Sequence, residues 1–547
     1  MSIPGKHETE CAQIVIKTYS FNEFAMVPIG ERGTRRPVVI VGGGPIGLTA
    51  AIDLAQQGVP VVLIDDNNTV SVGSRGLCYA KRPLEIFDRL GCAAPMLAKG
   101  VRWKIGKIFR GEELVYRFDL LPEDGHQMPA FINLQQYYLE EYLVDRCAEL
   151  APLLQLHWKH KLVGLQDHGE YVRLAIETPD ERFALEAEWV IACDGANSGI
   201  RAILGAEFKG RFFQDRFLIA DVHMRADFPT ERWYWFDPPF HPDQSALLHR
   251  QADGVWRIDF QLGWDADPHE ERKPERVLPR LRAMLGDDAD FELEWVSVYQ
   301  FACRRLERFV HGRVIFAGDS AHQVSPFGAR GANTGVQDAD NLVWKLKLVL
   351  EGKAPRRLLE SYNEERVFAA DDNIGHSSRA TDFITPKNPA SRAFRDAVLL
   401  LAREHAFARP LINSGRLSTP TPYLQSSLNT PDGDSFAGRM FPGTNCADAP
   451  VRCRGRQDWF LRHVGGRFVA LVFADEPHEP FEVNGIGCDV LCVGQDIEDC
   501  DGLLAGRYDA RPGTTYLIRP DQHVAARWRI FDRAAIAAAL DRATCRD

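Results

Sequence analysis

Three carboxylates in this chain stand where an apolar run gives way to a turn: Asp65 after Val61–Ile64, Asp194 after residues 189–193 and Asp319 after residues 314–318. A carboxylate at the tip of a buried strand can accept hydrogen bonds from sugar hydroxyls. Residues 42–47 read Gly-Gly-Gly-Pro-Ile-Gly, so Gly42, Gly44 and Gly47 form a G-x-G-x-x-G pattern. The first glycine permits a tight turn, the second lets the backbone approach a pyrophosphate, and the third lets helix and strand pack closely. Asp65 lies at the distance downstream where an acid meets a ribose hydroxyl. Asp194-Gly195 and Gly318-Asp319 repeat the strand-then-turn pattern. The chemistry implied is the binding of a dinucleotide.

Local elements must hold these groups. The run 38–41, a helical pattern from about Pro45 to Gly58 and the run 61–64 predict a βαβ unit. After Gly318-Asp319 comes a loop with Pro326, Gly328 and Gly331, then apolar positions 336, 339, 342, 346 and 349 at helical spacing. A helix that starts on Gly331, Ala332 and Asn333 offers bare backbone N–H groups to an anion. Leu84, Ile86, Phe87 and Leu90 predict an amphipathic helix, and residues 133–147 another, carrying Gln136 with Gln135 as an alternative. Residues 101–132 alternate polar and apolar and suggest strands of a second sheet. Residues 217–222, 233–236, 246–250, 255–262 and 295–301 are aromatic and β-branched, and predict further strands. A helical stretch runs from 358 to about 403. Residues 407–441, rich in Pro, Ser, Thr and Gly, read as a linker. Residues 442–547 read as a small α/β unit with strands at 468–473, 490–493 and 514–519.

The three fingerprints, in this order, resemble those of the single-component flavin-dependent aromatic hydroxylases. This is the class A monooxygenase family that includes p-hydroxybenzoate hydroxylase; the branch of 3-(3-hydroxyphenyl)propionate hydroxylase and the phenol-type hydroxylases is nearest. The likeness spans residues 38–370. It implies an α/β fold: a Rossmann-type FAD-binding domain interwoven with a β-rich substrate domain, plus a C-terminal thioredoxin-like α/β domain. The expected parts are an extension at 1–36, an FAD domain at 37–110, 133–207 and 302–406, a substrate domain at 111–132 and 208–301, and, after the linker, a thioredoxin-like unit at 442–547 that lacks C-x-x-C. The resemblance assigns FAD to Gly42, Gly44, Gly47, Asp65, Arg75 (in Ser74-Arg75-Gly76-Leu77), Gln136, Asp194, Gly195, Gly318, Asp319, Pro326, Gly331, Ala332 and Asn333. Arg330 departs from the family's Gly-Gln-Gly, beside the expected flavin ring.

The resemblance further implies that NADH or NADPH visits as a transient co-substrate. Dioxygen then reacts to give a flavin C4a-hydroperoxide, whose hydroxyl passes to a phenolic ring. A phenol with pKa near 10 needs a hydrogen-bond acceptor or a positive charge beside it. Tyr234, His249 and Arg257 are the candidates, with Asp259 expected on a strand next to that of His249. Phe236, Phe240, Trp256 and Phe260 either line a dry pocket or pack in a core. The alternatives on this fold are an epoxidising or Baeyer–Villiger-type monooxygenase and a non-catalytic flavin-binding protein. A flavin halogenase, for which Lys81 could be proposed as the lysine, is disfavoured, because Asp237 breaks the tryptophan motif that residues 233–235 begin and the Gly318-Asp319 region follows the hydroxylase pattern.

A net charge of −11 and a pI of about 5.9 argue against nucleic acid, and 45% apolar with 26% charged residues are those of a soluble globular chain. No apolar run reaches the ~18 residues of a membrane helix. Twelve cysteines, from Cys11 to Cys545, include no C-x-x-C and no zinc pattern, Cys488 and Cys492 included. They read as reduced thiols of a cytoplasmic enzyme with no metal, and a homodimer is the family expectation.

Overall fold

The computed structural model describes residues 19–31, 33–73, 75–226, 228–412, 417 and 419–547. Residues 1–18, with Cys11, and Ser74 lie outside the described residues.

Val38, Val39 and Ile40 are wholly buried, and their branched side chains favour extended backbone. They centre a sheet ordered Val310–His311, Val314–Phe316, Arg182–Ala192, Arg36–Val41, Val61–Ile64, Leu154–His157. The inner pairings of this sheet are parallel. Parallel strands end at one edge, so Asp65, Asp194 and Asp319 emerge together. That edge is where open α/β sheets bind ligands. Helices Pro45–Gln56, Gly331–Leu350 and Gln136–Glu149 cover the sheet and share its apolar core.

A second sheet forms a roof. Its order is His322–Gln323, Phe291–Leu306, Phe208–Met224, Val255–Leu262, Ser245–Arg250, Arg232–Phe236, Ile105–Arg110, Glu113–Asp119. The excursion into this sheet starts at residue 105 rather than 111, because Arg232–Phe236 takes Ile105–Arg110 as its parallel partner. The last long strand likewise runs past 301 to Leu306. Val101–Trp103 and Phe131–Asn133 instead join Cys78–Ala80 in a three-stranded sheet.

Side chains alternate across a strand, so the roof has two faces. Leu218, Ala220, Trp235, Trp256, Ile258 and Phe260 share the outer face, packed with Val277 and Leu281 of helix Pro274–Leu285. Phe217, Tyr234, Phe236 and Leu247 share the inner face with Phe327 and Phe383. Of the aromatic set expected around a pocket, only Phe236 is on that inner side; Phe240, Trp256 and Phe260 belong to the outer core.

The C-terminal unit has five strands ordered Phe481–Val483, Ile486–Val493, Phe468–Phe473, Thr515–Ile518, Val524–Trp528, and closes with helix Arg533–Ala543, capped by Asp532. The central pair is parallel and the last two strands antiparallel, a thioredoxin-like arrangement. Residues 419–441 lack regular elements but are not a detached tether. Tyr423 and Leu428 are buried, and Ser426 Oγ donates to Glu365 Oε1 at 2.6 Å.

Charges fill the seam between this unit and the first domain. Arg519 donates to Glu365 at 2.6 and 3.0 Å and to Asp521 at 3.0 and 2.5 Å, and Lys345 Nζ lies 2.7 Å from Glu365. Arg82 joins Asp340 at 3.0 Å and Gln522 at 2.7 Å. Burial weakens Lys345's hold on its proton more than Glu365 strengthens it, lowering its pKa to about 8. No described helix is long and apolar enough to cross a membrane.

Candidate active site

The glycine turn is dictated by sterics. Gly42 has φ 112°, and a Cβ there would overlap the Cys193 carbonyl; one at Gly47 would overlap the Gly42 carbonyl. At Gly44 nothing lies within 4 Å of such a Cβ, so this glycine faces open space above the strand edge. Asp65 closes its own loop by accepting from Gly43 N at 2.5 Å and Asn67 N at 2.8 Å. Asp194 Oδ2 accepts from Ile200 N at 3.1 Å, while its buried Oδ1 has no hydrogen-bond partner. Burial raises the pKa of both acids. Gly195 has φ 75° and no neighbour within 4 Å of a Cβ.

Gly318, at φ 67°, donates its N–H to Asp338 Oδ2 at 2.9 Å. The Asp338 carboxylate also holds His322 at 2.7 Å and Arg366 at 2.6 Å. Asp319 is surface-accessible yet ringed by protein. Desolvation raises its pKa, and the fields of His322 and Arg75 oppose the rise. Arg75 itself is exposed.

Helix Gly331–Leu350 begins after Arg330 with no side-chain cap. Its first main-chain bond is Thr334 N to Arg330 O at 2.8 Å, so the amides of Gly331, Ala332 and Asn333 precede the bonded turn. A helix terminus carries about +0.5 of an elementary charge. Pro326 is exposed in the preceding turn. The Asn333 side chain turns inward, accepting from Ala80 N at 2.8 Å and donating to Cys78 O at 2.8 Å. The buried guanidinium of Arg330, the residue before the helix, reaches Asn373 Oδ1 at 2.8 Å, on helix Leu358–Ile384. Gln136 Oε1 accepts from Gly76 N at 2.7 Å, and its Nε2 donates to Glu140 at 2.8 Å and Ser71 Oγ at 3.1 Å. A Cβ on Gly76 would lie 3.8 Å from Ala332 Cβ, so Gln136, the Arg75 loop and the helix start converge. Gln135 is instead turned towards Ala252 O at 3.2 Å.

The inner face of the roof is laid out in rows by strand register. Tyr234, Leu247, Asp259, Ile219 and Ser297 form one row, and His249, Arg257, Asp221 and Trp295 the next. Tyr234 Oη donates to Ser245 Oγ at 2.9 Å, which donates to Gln261 Oε1 at 2.9 Å; burial raises the phenol's pKa. Arg257 makes a two-point ion pair with Asp221 at 2.8 and 2.9 Å and lies 5.6 Å from the Trp295 ring centre. His249 is buried. Its Nδ1 is 3.7 Å from Cys78 Sγ and its Nε2 has no hydrogen-bond partner. Desolvation, helped by Arg232 and Arg257, holds its pKa well below the ordinary value, so the ring is neutral at pH 7. Asp259 is pushed up to about 6, by burial against the opposing pull of Arg257 and Arg232.

Aromatic rings close the other end of this face. Phe217 lies 4.9 Å from Phe327 and 5.3 Å from Phe301, and Phe236 lies 5.7 Å from Phe383. Phe327 follows Pro326, so the rings tie the roof to the loop that starts the long helix. Arg232, Cys78, Phe327 and Phe383, which the sequence does not single out, also meet at this face. The alternation of Arg257, Asp259 and Gln261 within an apolar strand was the signal that one roof face is polar.

A family model described as "FAD binding domain" matches residues 35–377. The chain is 30% identical over 531 residues to 6-methylpretetramide 4-monooxygenase of Streptomyces rimosus, covering 90% of each. It is 26% identical over 534 residues to a 3-(3-hydroxy-phenyl)propionate/3-hydroxycinnamic acid hydroxylase of a Mycobacterium species, covering 91% of this chain and 90% of that one. The flavin-dependent monooxygenase PieE, solved in complex with FAD and substrate, superposes with a TM-score of 0.80 over 94% of this chain and all of that one; at 24% identity this is a likeness of fold.

Proposed function

The chain belongs to the FAD binding domain family and is an FAD-dependent monooxygenase of the aromatic hydroxylase family, and from this premise we propose that it hydroxylates a phenolic ring at the expense of NADH or NADPH and dioxygen. The observation that carries the reading is the inner face of the roof, which sets Arg232, His249, Arg257 and Asp259 at one end and the packed rings of Phe217, Phe236, Phe301 and Phe327 at the other.

Its residues fit FAD on three counts. The amides of residues 331–333 are uncapped, Gly44 and Gly195 present open backbone, and Asp194 Oδ1 and the accessible Asp319 carboxylate are left to accept from hydroxyls. Bound FAD supplies electron transfer and activation of dioxygen. The turn around Gly42, Gly44 and Gly47 holds the pyrophosphate, and Asp65 and Asp319 meet the sugar chains. Gln136 orients the loop of Arg75 against the helix start. The helix amides stabilise negative charge that develops beside them. Tyr234 and the neutral His249 orient the phenol, and the rings keep water out.

The test is NADH and NADPH oxidation by the purified yellow protein across a panel of phenols, with product analysis. Stimulation together with a ring-hydroxylated product is expected. No stimulation by any phenol, with FAD bound, would overturn the reading.

A further inference from the structure

Among the buried polar atoms of the roof's inner face that lack hydrogen-bond partners, three stand close in the sheet: Asp259 Oδ1, Arg232 Nη1 and His249 Nε2. They come from three adjacent strands, Val255–Leu262, Ser245–Arg250 and Arg232–Phe236. His249 is 4% exposed. Buried polar atoms are ordinarily hydrogen-bonded, so three on one wall mark a place for a ligand.

The charges on this wall are unequally used. Arg257 is committed to Asp221 through two hydrogen bonds, and Gln251 Nε2 adds a third to that carboxylate at 2.8 Å. Arg232 and Asp259 feel each other's fields but make no ion pair within 4.0 Å. Between them and the aromatic end stand Leu247 and Tyr234, and the Tyr234 hydroxyl already donates its hydrogen bond to Ser245. The groups facing Asp259 are therefore Arg257, Arg232 and Asp221 from the roof, and Cys78 from strand Cys78–Ala80; Tyr234 lies in the same field as Asp259, Arg232 and Arg395.

We infer that Asp259 is the acceptor of the substrate's phenolic proton and that Arg232 holds the resulting phenolate. The inference rests on the reading of the protein as a phenol hydroxylase, and it narrows the substrate to an aromatic with a free ring hydroxyl. The O–H bond breaks, its proton passes to Asp259 Oδ1, and the electron pair stays on the phenolate oxygen beside the guanidinium. That charge makes the ring carbons ortho and para to it electron-rich, as electrophilic oxygen transfer requires. As the ring regains aromaticity, the C–H bond at the oxygenated carbon breaks, its proton leaves to solvent and its electron pair returns to the ring, while the same carboxyl returns its proton to the product's original oxygen. A carboxyl raised to about 6 is better matched to a phenol than an ordinary aspartate, which narrows the uphill gap in proton affinity. His249 Nε2, on a neutral ring, donates or accepts to a second substituent according to its tautomer.

The experiment compares wild type with Asp259→Asn and Asp259→Glu, as FAD-loaded full-length protein, on a series of phenols of graded acidity. FAD content confirms that each variant folds. For each phenol the readout is the variant-to-wild-type ratio of hydroxylated product formed per unit time, which cancels the ring's own reactivity. Asp259→Asn should lose at least about ten-fold on weakly acidic phenols, recover on phenols that are already ionised at the assay pH, and recover on all of them as pH rises; Asp259→Glu should restore part of the loss. A ratio independent of phenol acidity, or no loss, overturns the assignment of Asp259. If wild type hydroxylates no phenol, the functional reading fails first and this inference with it, an outcome told apart by the wild-type result alone.

Discussion

Arg257 and Asp221 face each other across paired strands and share two hydrogen bonds, of 2.8 and 2.9 Å, with both side chains about 5% exposed. This pair fixes the polar end of the roof, and it makes Arg257 a brace for the wall instead of a free cation. Removing one partner of a buried pair leaves an uncompensated charge and costs about 3–5 kcal/mol. Arg257→Met should therefore lower the urea midpoint markedly. The double variant with Asp221→Leu should recover much of that stability. If the double variant is no more stable than the single, the pair is not the brace described.

Two glycines of the turn should respond in opposite ways. Gly47→Ala places a Cβ against the Gly42 carbonyl, so it should destabilise the fold and reduce soluble yield. Gly44→Val meets nothing within 4 Å of its Cβ, so the apoprotein should melt as wild type does. It should nonetheless bind FAD at least ten-fold more weakly, about 1.4 kcal/mol or more, by fluorescence titration. Equal FAD affinity would move the pyrophosphate away from Gly44.

Asp259 should make the protein less stable at neutral pH than in mild acid. Its folded pKa, near 6, lies above the 3.8 of a free aspartate, so the folded state binds the extra proton between those values. The group's contribution is fully present below about pH 4 and is lost as pH rises through 6. Relative to wild type, Asp259→Asn should gain stability between pH 4 and 7 and then level off, by roughly 2–3 kcal/mol at most. A flat difference across that range would mean that Asp259 is not desolvated.

The seam around Arg519 links the C-terminal unit to the first domain, and through helices Gly331–Leu350 and Leu358–Ile384 to Asp338 and Gly318. Arg519→Met removes a two-point cationic partner from both Glu365 and Asp521 in the interior, leaving Lys345 as the cation on Glu365. The expected result is a melting temperature lowered by several degrees together with a weaker hold on FAD, although Arg519 is remote from the strand edge. Loss of stability with unchanged FAD affinity would confine the seam to a structural role.

The strand tips and the glycine turn were legible in the sequence because each is a local pattern: a buried strand, a turn and a helix start within a few tens of residues. The roof was less so. Whether Arg257 or Trp256 is on the inner face of the roof is decided by register with strands at 208–224 and 291–306, and Arg257's partner Asp221 is distant in sequence. The same long-range pairing draws residues 105–110 into the roof, and the partner of Arg330, Asn373, is 43 residues on. None of these choices leaves a mark in local periodicity.

The most direct test of the central claim is to supply isotopically labelled dioxygen with NAD(P)H and the best phenol of the panel, and to weigh the product. One labelled oxygen atom in a new ring hydroxyl is the predicted result. Consumption of NAD(P)H that yields only labelled peroxide from every phenol, or a product whose new oxygen comes from water, would contradict it.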